Sequence, residues 1–212
     1  MSSPPPRRCV TAELTDRDLV RLYWPVELRP AFDALFALDD ALAEIALRAS
    51  QPALAAITLA WWSEALDRLD THAPPAEPRL QAVVADLLPR GLNGRALATL
   101  VAAWTDLLDQ DAGAGEAAAR GQCLFGLAAT LLGTDDPGGA GAAFGMADLL
   151  RRTGDARWSG AATGERSTKP LRPLTAFDAL GTRDLRRGLP CEAEATPARA
   201  WTLLRHRWTG RV

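Results

Sequence analysis

Two acidic residues in the first long helical segment are spaced for metal binding. Asp40 and Glu44 are one turn apart, so a helix places both carboxylates on the same side. Because Mg²⁺ takes oxygen ligands and is usually held by one or two carboxylates together with phosphate oxygens, this pair could hold it. The more ordinary interpretation is a solvated helix face, or an ion pair between Glu44 and Arg48, which lies a further turn along.

A second acidic group lies much later in the chain. Asp148 and Asp155 could form the opposite wall of the same site. Arg151 and Arg152 are close to both of them, however, and could neutralise these carboxylates locally. The sequence therefore predicts either a two-sided acidic site or two groups of ion pairs.

The histidines and cysteines do not suggest any other catalytic arrangement. His72 lies in a proline-rich loop and His206 in an arginine-flanked segment, and each lacks a nearby partner, so neither is expected to be a base or a metal ligand. The three cysteines are widely spaced without a CxxC pair, which predicts neither a disulfide framework nor a zinc site. Free cysteines suit a reducing compartment, so we expect a cytoplasmic protein.

The overall charge and hydropathy exclude two classes of partner. A net charge of -2 and a pI near 5.7 provide no general attraction for phosphate backbones, so no nucleic-acid partner is expected. No apolar run approaches the roughly 18 residues that a membrane span needs. We therefore expect no transmembrane helix, and residues 1–9 lack the apolar region of a secretory signal.

The spacing of apolar residues predicts an all-α, single-domain protein. Alanine and leucine dominate the apolar residues, and they recur at intervals of three and four, which favours helix over sheet. The predicted helices cover 15 to near 25, 31–49, 52–71, 78–88, 94–108, 116–132, 139–152, 174–180 and 197–208. Ser50 is a candidate N-cap for the third of these. Small residues crowd the segments 116–132 and 139–152, so we expect their backbones to pack closely.

The remaining segments complete the predicted organisation of the chain. Residues 1–14 are predicted to form a disordered tail, because three prolines and few apolar residues leave little to bury. Residues 15–212 are predicted to form the helical domain, with a loop at about 157–173. The length suits one domain that buries its own core without disulfide or metal.

Several segments resemble the squalene/phytoene synthase family. The segments 34–39 (ALFALD), 50–52 (SQP) and 59–66 (LAWWSEAL) are similar, in sequence and spacing, to the family patterns "ALYAF", "SEP" and "LQWWR-AL". The segment 143–151 (AFGMADLLR) is similar to the later "A-LTNILRD" helix, and 16–18 (DRD) to an N-terminal motif of a subgroup. The resemblance covers about residues 15 to 155, and its most specific part is the Trp-Trp pair.

The resemblance implies a helical bundle of the isoprenoid synthase type around a central cavity. In catalytic members, two Asp-rich helices face each other across that cavity and hold Mg²⁺ and a prenyl diphosphate. Here the first motif, expected at 43–47, retains only Glu44, with Asp40 as a shifted substitute, and the second has Arg152 where an acidic residue is expected. The resulting vestigial metal or diphosphate site comprises Asp39, Asp40, Glu44, Arg48, Asp148, Arg151 and Asp155. Phe36, Trp61 and Trp62 are predicted to lie in the cavity or core.

The missing carboxylates imply a protein without prenyl transferase activity. The pattern resembles the non-catalytic branch that includes a mitochondrial complex I assembly factor, so we expect a role in binding or assembly, with a protein partner or an isoprenoid lipid and no cofactor. The alternative is a Mg²⁺-dependent head-to-head prenyl diphosphate transferase that uses Asp39, Asp40, Glu44 and Asp148 in an altered register, with Arg48 or Arg151 on the diphosphate. Four or more carboxylates converging on one open cavity would overturn the non-catalytic hypothesis in favour of this alternative. A third hypothesis is a plain helical interaction module.

The C-terminal segment combines basic and aromatic residues. Its members are Arg199, Arg205, Arg207, Arg211, Trp201 and Trp208. Basic side chains beside aromatic rings suit a membrane interface, so peripheral membrane contact is one interpretation. The other is a helix that caps the helical core.

Overall fold

The computed structural model describes residues 14–49, 51–134, 138–161 and 167–212. Every regular element within those ranges is helical and none is a strand, so the prediction of a single all-α domain is confirmed. Of the predicted tail, only Leu14 belongs to the described residues, and Ser50, the predicted N-cap, lies outside them.

Nine α-helices lie within the described ranges. They are α1 (Asp16–Arg21), α2 (Arg29–Arg48), α3 (Pro52–Arg68), α4 (Pro78–Ala82), α5 (Gly94–Asp106), α6 (Ala114–Leu131), α7 (Ala142–Thr153), α8 (Arg172–Arg187) and α9 (Pro197–Thr209). Shorter helical turns lie at Val26–Leu28, Leu88–Arg90 and Ala156–Trp158, and a π-helical stretch at Val83–Leu87.

The predicted helix 78–88 is less regular than expected. It begins as α4, widens into the π-helical stretch and tightens into a 3₁₀ turn before Gly91. Pro89 lacks an N–H and its ring opposes the carbonyl one turn earlier, which disturbs the regular hydrogen bonds before it. Gly91 then ends the element with φ +92°, a conformation that residues with a Cβ rarely adopt.

Helix α8 is longer than the predicted 174–180. Its second half carries several charges and lacks an apolar stripe, which is why the apolar pattern stops early. Thr182 and Asp184 are nevertheless buried in it. Asp184 can be buried because Arg199 from α9 pairs with it, a contact between distant residues that no local pattern reveals.

Helix α7 receives its N-terminal cap from another helix. Gly141 occupies the N-cap position with φ +98° and has no side chain to accept a hydrogen bond. The carboxylate of Asp178, on α8, accepts instead from the Gly141 nitrogen at 2.7 Å and the Phe144 nitrogen at 2.9 Å. This cap fixes the start of α7 against α8.

Helices α6 and α7 pack backbone against backbone, as their small residues predicted. A Cβ on Gly121 would collide with the carbonyl oxygen of Gly141 and lie 2.7 Å from the Gly145 nitrogen. A Cβ on Gly145 would likewise collide with the carbonyl oxygen of Ala117. The close approach of the two backbones brings Arg120 on α6 within hydrogen-bonding distance of Asp148 on α7.

A cluster of phenylalanines fills the space among α2, α6, α7 and α8. Phe36 and Phe177 have ring centroids 5.1 Å apart, and Phe144 lies 5.1 Å from Phe177 and 5.4 Å from Phe125. Such contacts add stability beyond the apolar area they bury. The interior expected to be a central cavity is therefore occupied here by the chain's own rings.

Candidate functional site

The candidate site is an open cleft bounded by α1, α2, α7, α8 and the start of α9. Its volume is about 470 Å³ and its apolar lining includes Phe144, Phe177 and Leu180, so the phenylalanine cluster reaches its surface. Its acidic side chains are Asp16, Asp40, Asp148, Asp184 and Glu194, and its basic side chains are Arg17, Arg151, Arg152 and Arg199. Charged side chains thus surround an aromatic patch.

A buried ion triad lies beneath the cleft. Arg120 donates from Nη1 to both oxygens of Asp39, at 2.8 and 3.1 Å, and from Nη2 to Oδ2 of Asp148 at 2.8 Å. The side chains of Asp39 and Arg120 are 0% exposed. Trp104 Nε1 donates to Asp39 Oδ1 at 2.7 Å, and the guanidinium of Arg120 lies 4.7 Å from the Trp104 ring. The triad connects α2, α6 and α7.

A second chain of ion pairs crosses the cleft between α2 and α7. Arg152 donates from Nε to Asp148 Oδ1 at 2.9 Å and from Nη2 to Asp40 Oδ1 at 2.7 Å. Arg17, from α1, pairs with the same Asp40 carboxylate, and its guanidinium lies 5.1 Å from the Phe36 ring. Asp40 is therefore held between two guanidinium groups.

These contacts keep Asp40 and Arg152 ionised. Burial acts to raise the pKa of Asp40, but the hydrogen bonds and charges of Arg17 and Arg152 outweigh burial, so the pKa is lowered from its ordinary value. Burial also opposes the charge of Arg152, yet the carboxylates of Asp148 and Asp40 raise the pKa of its guanidinium. Asp40 and Arg152 remain a charged pair across the neutral range.

A third group of ion pairs closes the other end of the cleft. Arg199, almost completely buried, pairs with Asp16 Oδ2 at 2.6 Å and with Asp184. Arg151 donates from Nε to Asp184 Oδ2 at 2.7 Å and from Nη2 to the carbonyl oxygen of Glu192 at 2.7 Å. This group ties the first turn of α1 to α7, α8 and α9.

The donor set of the cleft does not fit a metal clamp. Four of its acidic side chains are paired with arginine, and the fifth, Glu194, accepts from the Asp16 nitrogen at 3.2 Å. Among the described residues, no three histidines, cysteines, aspartates or glutamates form a group that could hold a metal ion. The count of carboxylates meets the threshold set for the synthase alternative, but arginine already neutralises the oxygens that Mg²⁺ would need.

Three comparisons with known proteins give no relative for this chain. No family model matches it, and neither a curated protein nor a solved structure matches it. Within the described ranges, none of the helices is both long enough and apolar enough to pass through a bilayer.

The structure brings together four of the predicted site residues. Asp39, Asp40, Asp148 and Arg151 belong to the ion pairs in and beneath the cleft. Glu44, Arg48 and Asp155 are not in its lining.

These last three residues form separate surface contacts. Glu44 is half exposed and lies 3.9 Å from Arg48 and 3.7 Å from Arg79. Asp155 accepts from the Arg157 nitrogen and caps a short 3₁₀ turn. Glu44 therefore forms the ion pair with Arg48 that was the more ordinary interpretation of its spacing. Glu44 and Asp148 do not face the same cleft.

The predicted core residues are divided between interior and surface. Phe36 and Trp62 are 1% and 5% exposed, respectively, whereas Trp61 is 46% exposed. Consecutive helical residues point about 100° apart, and α3 buries only the side that carries Ala55, Leu59, Trp62 and Leu66, so Trp61 falls on its exposed side. Placing Trp61 in the cavity or core was therefore wrong.

Sequence reasoning missed Arg120, the arginine of the buried ion triad. Arg120 is the one charged residue in the segment 117–134, which is otherwise small, apolar or uncharged. A lone arginine in such a helix is a signal for a buried ion pair, because an unpaired charge is strongly disfavoured in a protein interior. Arg17 carries no comparable signal, since it lies between Asp16 and Asp18 in the sequence.

His206 does have partners, contrary to the expectation from the sequence. It is 1% exposed, with Nε2 3.1 Å from Thr175 Oγ1 and Nδ1 2.9 Å from the carbonyl oxygen of Arg211. Burial lowers its pKa. These contacts make it a structural residue that holds α9 against α8.

Proposed function

We propose that the chain is a non-catalytic protein of the squalene/phytoene synthase type that acts by binding or in assembly. The observation that carries the proposal is the position of Arg152. Its guanidinium bonds Asp40 on α2 and Asp148 on α7, at 2.7 and 2.9 Å. In the arrangement implied by the resemblance, metal ions would join the acidic residues of those two facing helices.

Arg152 already supplies the positive charge that a metal ion would bring between Asp40 and Asp148. Mg²⁺ would have to displace both Arg152 and Arg17 from Asp40, and Asp148 would also have to leave Arg120. Arginine is always charged and its fork of donors suits carboxylates, so these pairs persist wherever the carboxylates are ionised. The proposed role therefore uses the cleft for binding and not for diphosphate chemistry.

The cleft itself supports a binding role. Its volume of about 470 Å³ lies within the range of small-molecule sites, and an aromatic patch inside a charged rim suits a ligand that is apolar with one polar end. An isoprenoid lipid has this character. A protein partner that inserts an apolar side chain would use the same patch.

An incubation with farnesyl or geranylgeranyl diphosphate and Mg²⁺ tests the proposal. We expect no condensed prenyl product from the purified chain. Product that is lost in Asp40→Ala would overturn the proposal. Glu44→Ala is the matched control, because Glu44 lies one turn away on the same helix and outside the cleft lining.

The number of acidic residues favours a second candidate function. Five of them surround one open cleft, which suits a Mg²⁺-dependent prenyl diphosphate transferase if the arginines were to exchange partners on substrate binding. A competent site would raise the melting temperature when Mg²⁺ and a diphosphate analogue are added together. The non-catalytic proposal expects no stabilisation that depends on the metal.

A further inference from the structure

An exposed aromatic stripe runs along the outer side of α9. Trp201, Leu204 and Trp208 follow one another at intervals of three and four, so they lie on one side of the helix. Trp201 and Trp208 are 60% and 67% exposed, and their ring centroids are 6.5 Å apart in an edge-to-face arrangement. We refer to these three residues as the α9 stripe.

The inner side of α9 fixes the stripe in its outward orientation. Arg199, Leu203 and His206 are buried on that side. Arg199 is held by Asp16 and Asp184, and Tyr23 Oη donates to the carbonyl oxygen of Leu203. Rotating the tryptophans into the core would break these buried ion pairs, so the exposure of the stripe is built into the fold.

Only positive charges flank the stripe within the helix. Helix α9 contains no acidic residue, and Arg205, Arg207 and Arg211 are exposed around its C-terminal half. Within the described ranges none of these three arginines has a carboxylate within 4.0 Å, although the Arg207 guanidinium lies 5.4 Å from the Tyr23 ring. Glu192 and Glu194 precede the helix, where Arg183 and the Asp16 nitrogen bind them.

We infer that the α9 stripe docks on an anionic lipid surface. Tryptophan suits the boundary of a bilayer because its ring is apolar with one polar edge, and arginine adds attraction to acidic headgroups. A ridge of three side chains on one helix is small for a stable protein interface, which typically buries about 800 Å² on each partner. Lipid contact needs no matching shape, so charge complementarity and the narrow ridge both favour a membrane.

Sedimentation of the full chain with lipid vesicles tests this inference. We expect binding to phosphatidylcholine vesicles that contain phosphatidylserine, weaker binding as salt is raised, and little binding to phosphatidylcholine alone. The double variant Trp201→Ser/Trp208→Ser should lose binding. Arg205→Gln/Arg211→Gln should lower the partition coefficient roughly 30-fold, since each basic residue near such a surface contributes about a factor of five.

A second exposed stripe provides the matched control. Ile57 and Trp61 on α3 are 68% and 46% exposed, and residues 52–63 carry no charge. Ile57→Ser/Trp61→Ser should therefore bind vesicles like the unmodified chain. Absence of binding to phosphatidylserine vesicles, equal binding to neutral vesicles, or full binding by both α9 variants would overturn the inference. A lipid-independent protein complex that the α9 variants abolish, without vesicle binding, would assign the stripe to a protein partner instead.

Discussion

Replacing Arg120 by methionine tests the buried triad most directly. Methionine replaces the aliphatic part of the arginine side chain with an unbranched, flexible one and removes the guanidinium with every donor. Asp39, 0% exposed, would then keep only the Trp104 N–H as a partner, and Asp148 would keep Arg152. The substitution thus leaves one buried carboxylate almost without compensation.

The expected loss of stability follows from the complete burial of Asp39. Removing one partner of a buried ion pair destabilises a protein by about 3–5 kcal/mol, because the remaining charge stays in a medium of low polarity. Part of this loss is offset, since the Nε of Arg120 is itself buried without a hydrogen-bond partner in the described structure. We therefore expect a loss of about 3 kcal/mol, which lowers the melting temperature of a domain of this size by about 6–12 °C.

Urea unfolding followed by far-ultraviolet circular dichroism measures this loss. Arg68→Met is the matched control, because Arg68 pairs with Glu64 one turn away on an exposed helix face and should change stability by less than about 0.5 kcal/mol. Adding Asp39→Asn to Arg120→Met should recover about 1–2 kcal/mol, since the amide removes the charge and can still accept from Trp104. A loss below about 1 kcal/mol for Arg120→Met, or no recovery in the double variant, would refute the reasoning.

Three further predictions concern helix packing and ionisation. Gly121→Ala should destabilise the protein by about 2–3 kcal/mol in urea unfolding, because its Cβ has no room against α7, whereas Gly126→Ala on the same helix meets nothing within 4 Å and should be neutral or gain up to about 1 kcal/mol. Burial raises the pKa of Asp178 from 3.8 to about 6, so its contribution to stability is full below pH 3.8 and is lost as the pH rises through about 6. The unfolding free energy relative to Asp178→Asn should therefore fall by about 2 kcal/mol between pH 4 and pH 7. Arg152→Ala should raise the pKa of Asp40 toward its ordinary value, as measured by NMR titration of the side-chain carboxyl carbon.

Each of these three has an outcome that contradicts it. Equal stability of the two glycine variants would mean that α6 and α7 do not approach as closely as described. A stability difference that does not vary with pH would mean that Asp178 titrates normally. An unchanged pKa of Asp40 in Arg152→Ala would show that the pair across the cleft is not formed, and Arg48→Ala, remote from that carboxylate, provides the baseline.

The helices were largely predictable because each depends on local spacing. The segments 94–108 and 197–208 differ from α5 and α9 by no more than two residues at either end, since an apolar stripe with a capping residue defines a helix locally. The close packing of α6 and α7 was also predictable, because only small residues allow it. The extension of α8 to Arg187 was not, since it depends on a buried Asp184 whose partner lies on α9.

The candidate site was predictable only in part. The structure places Asp40 and Asp148 on two helices that line one cleft, but the sequence could not show which arginines pair with them. Arg17 reaches Asp40 from a helix that begins 24 residues earlier, at Asp16. Pairing at such distances is set by how helices pack, and packing sums many weak contacts that no short pattern contains.

The sequence by itself determined the helical class of this protein and the start of most helices. Each of these follows from residue type and local spacing. Only the tertiary structure decided that Arg120 and Arg152 join α2 to α7, that phenylalanines fill the interior, and that Trp61 faces outward while Trp62 is buried. The physical reason is that burial and charge pairing depend on which helices meet, and that depends on the whole chain.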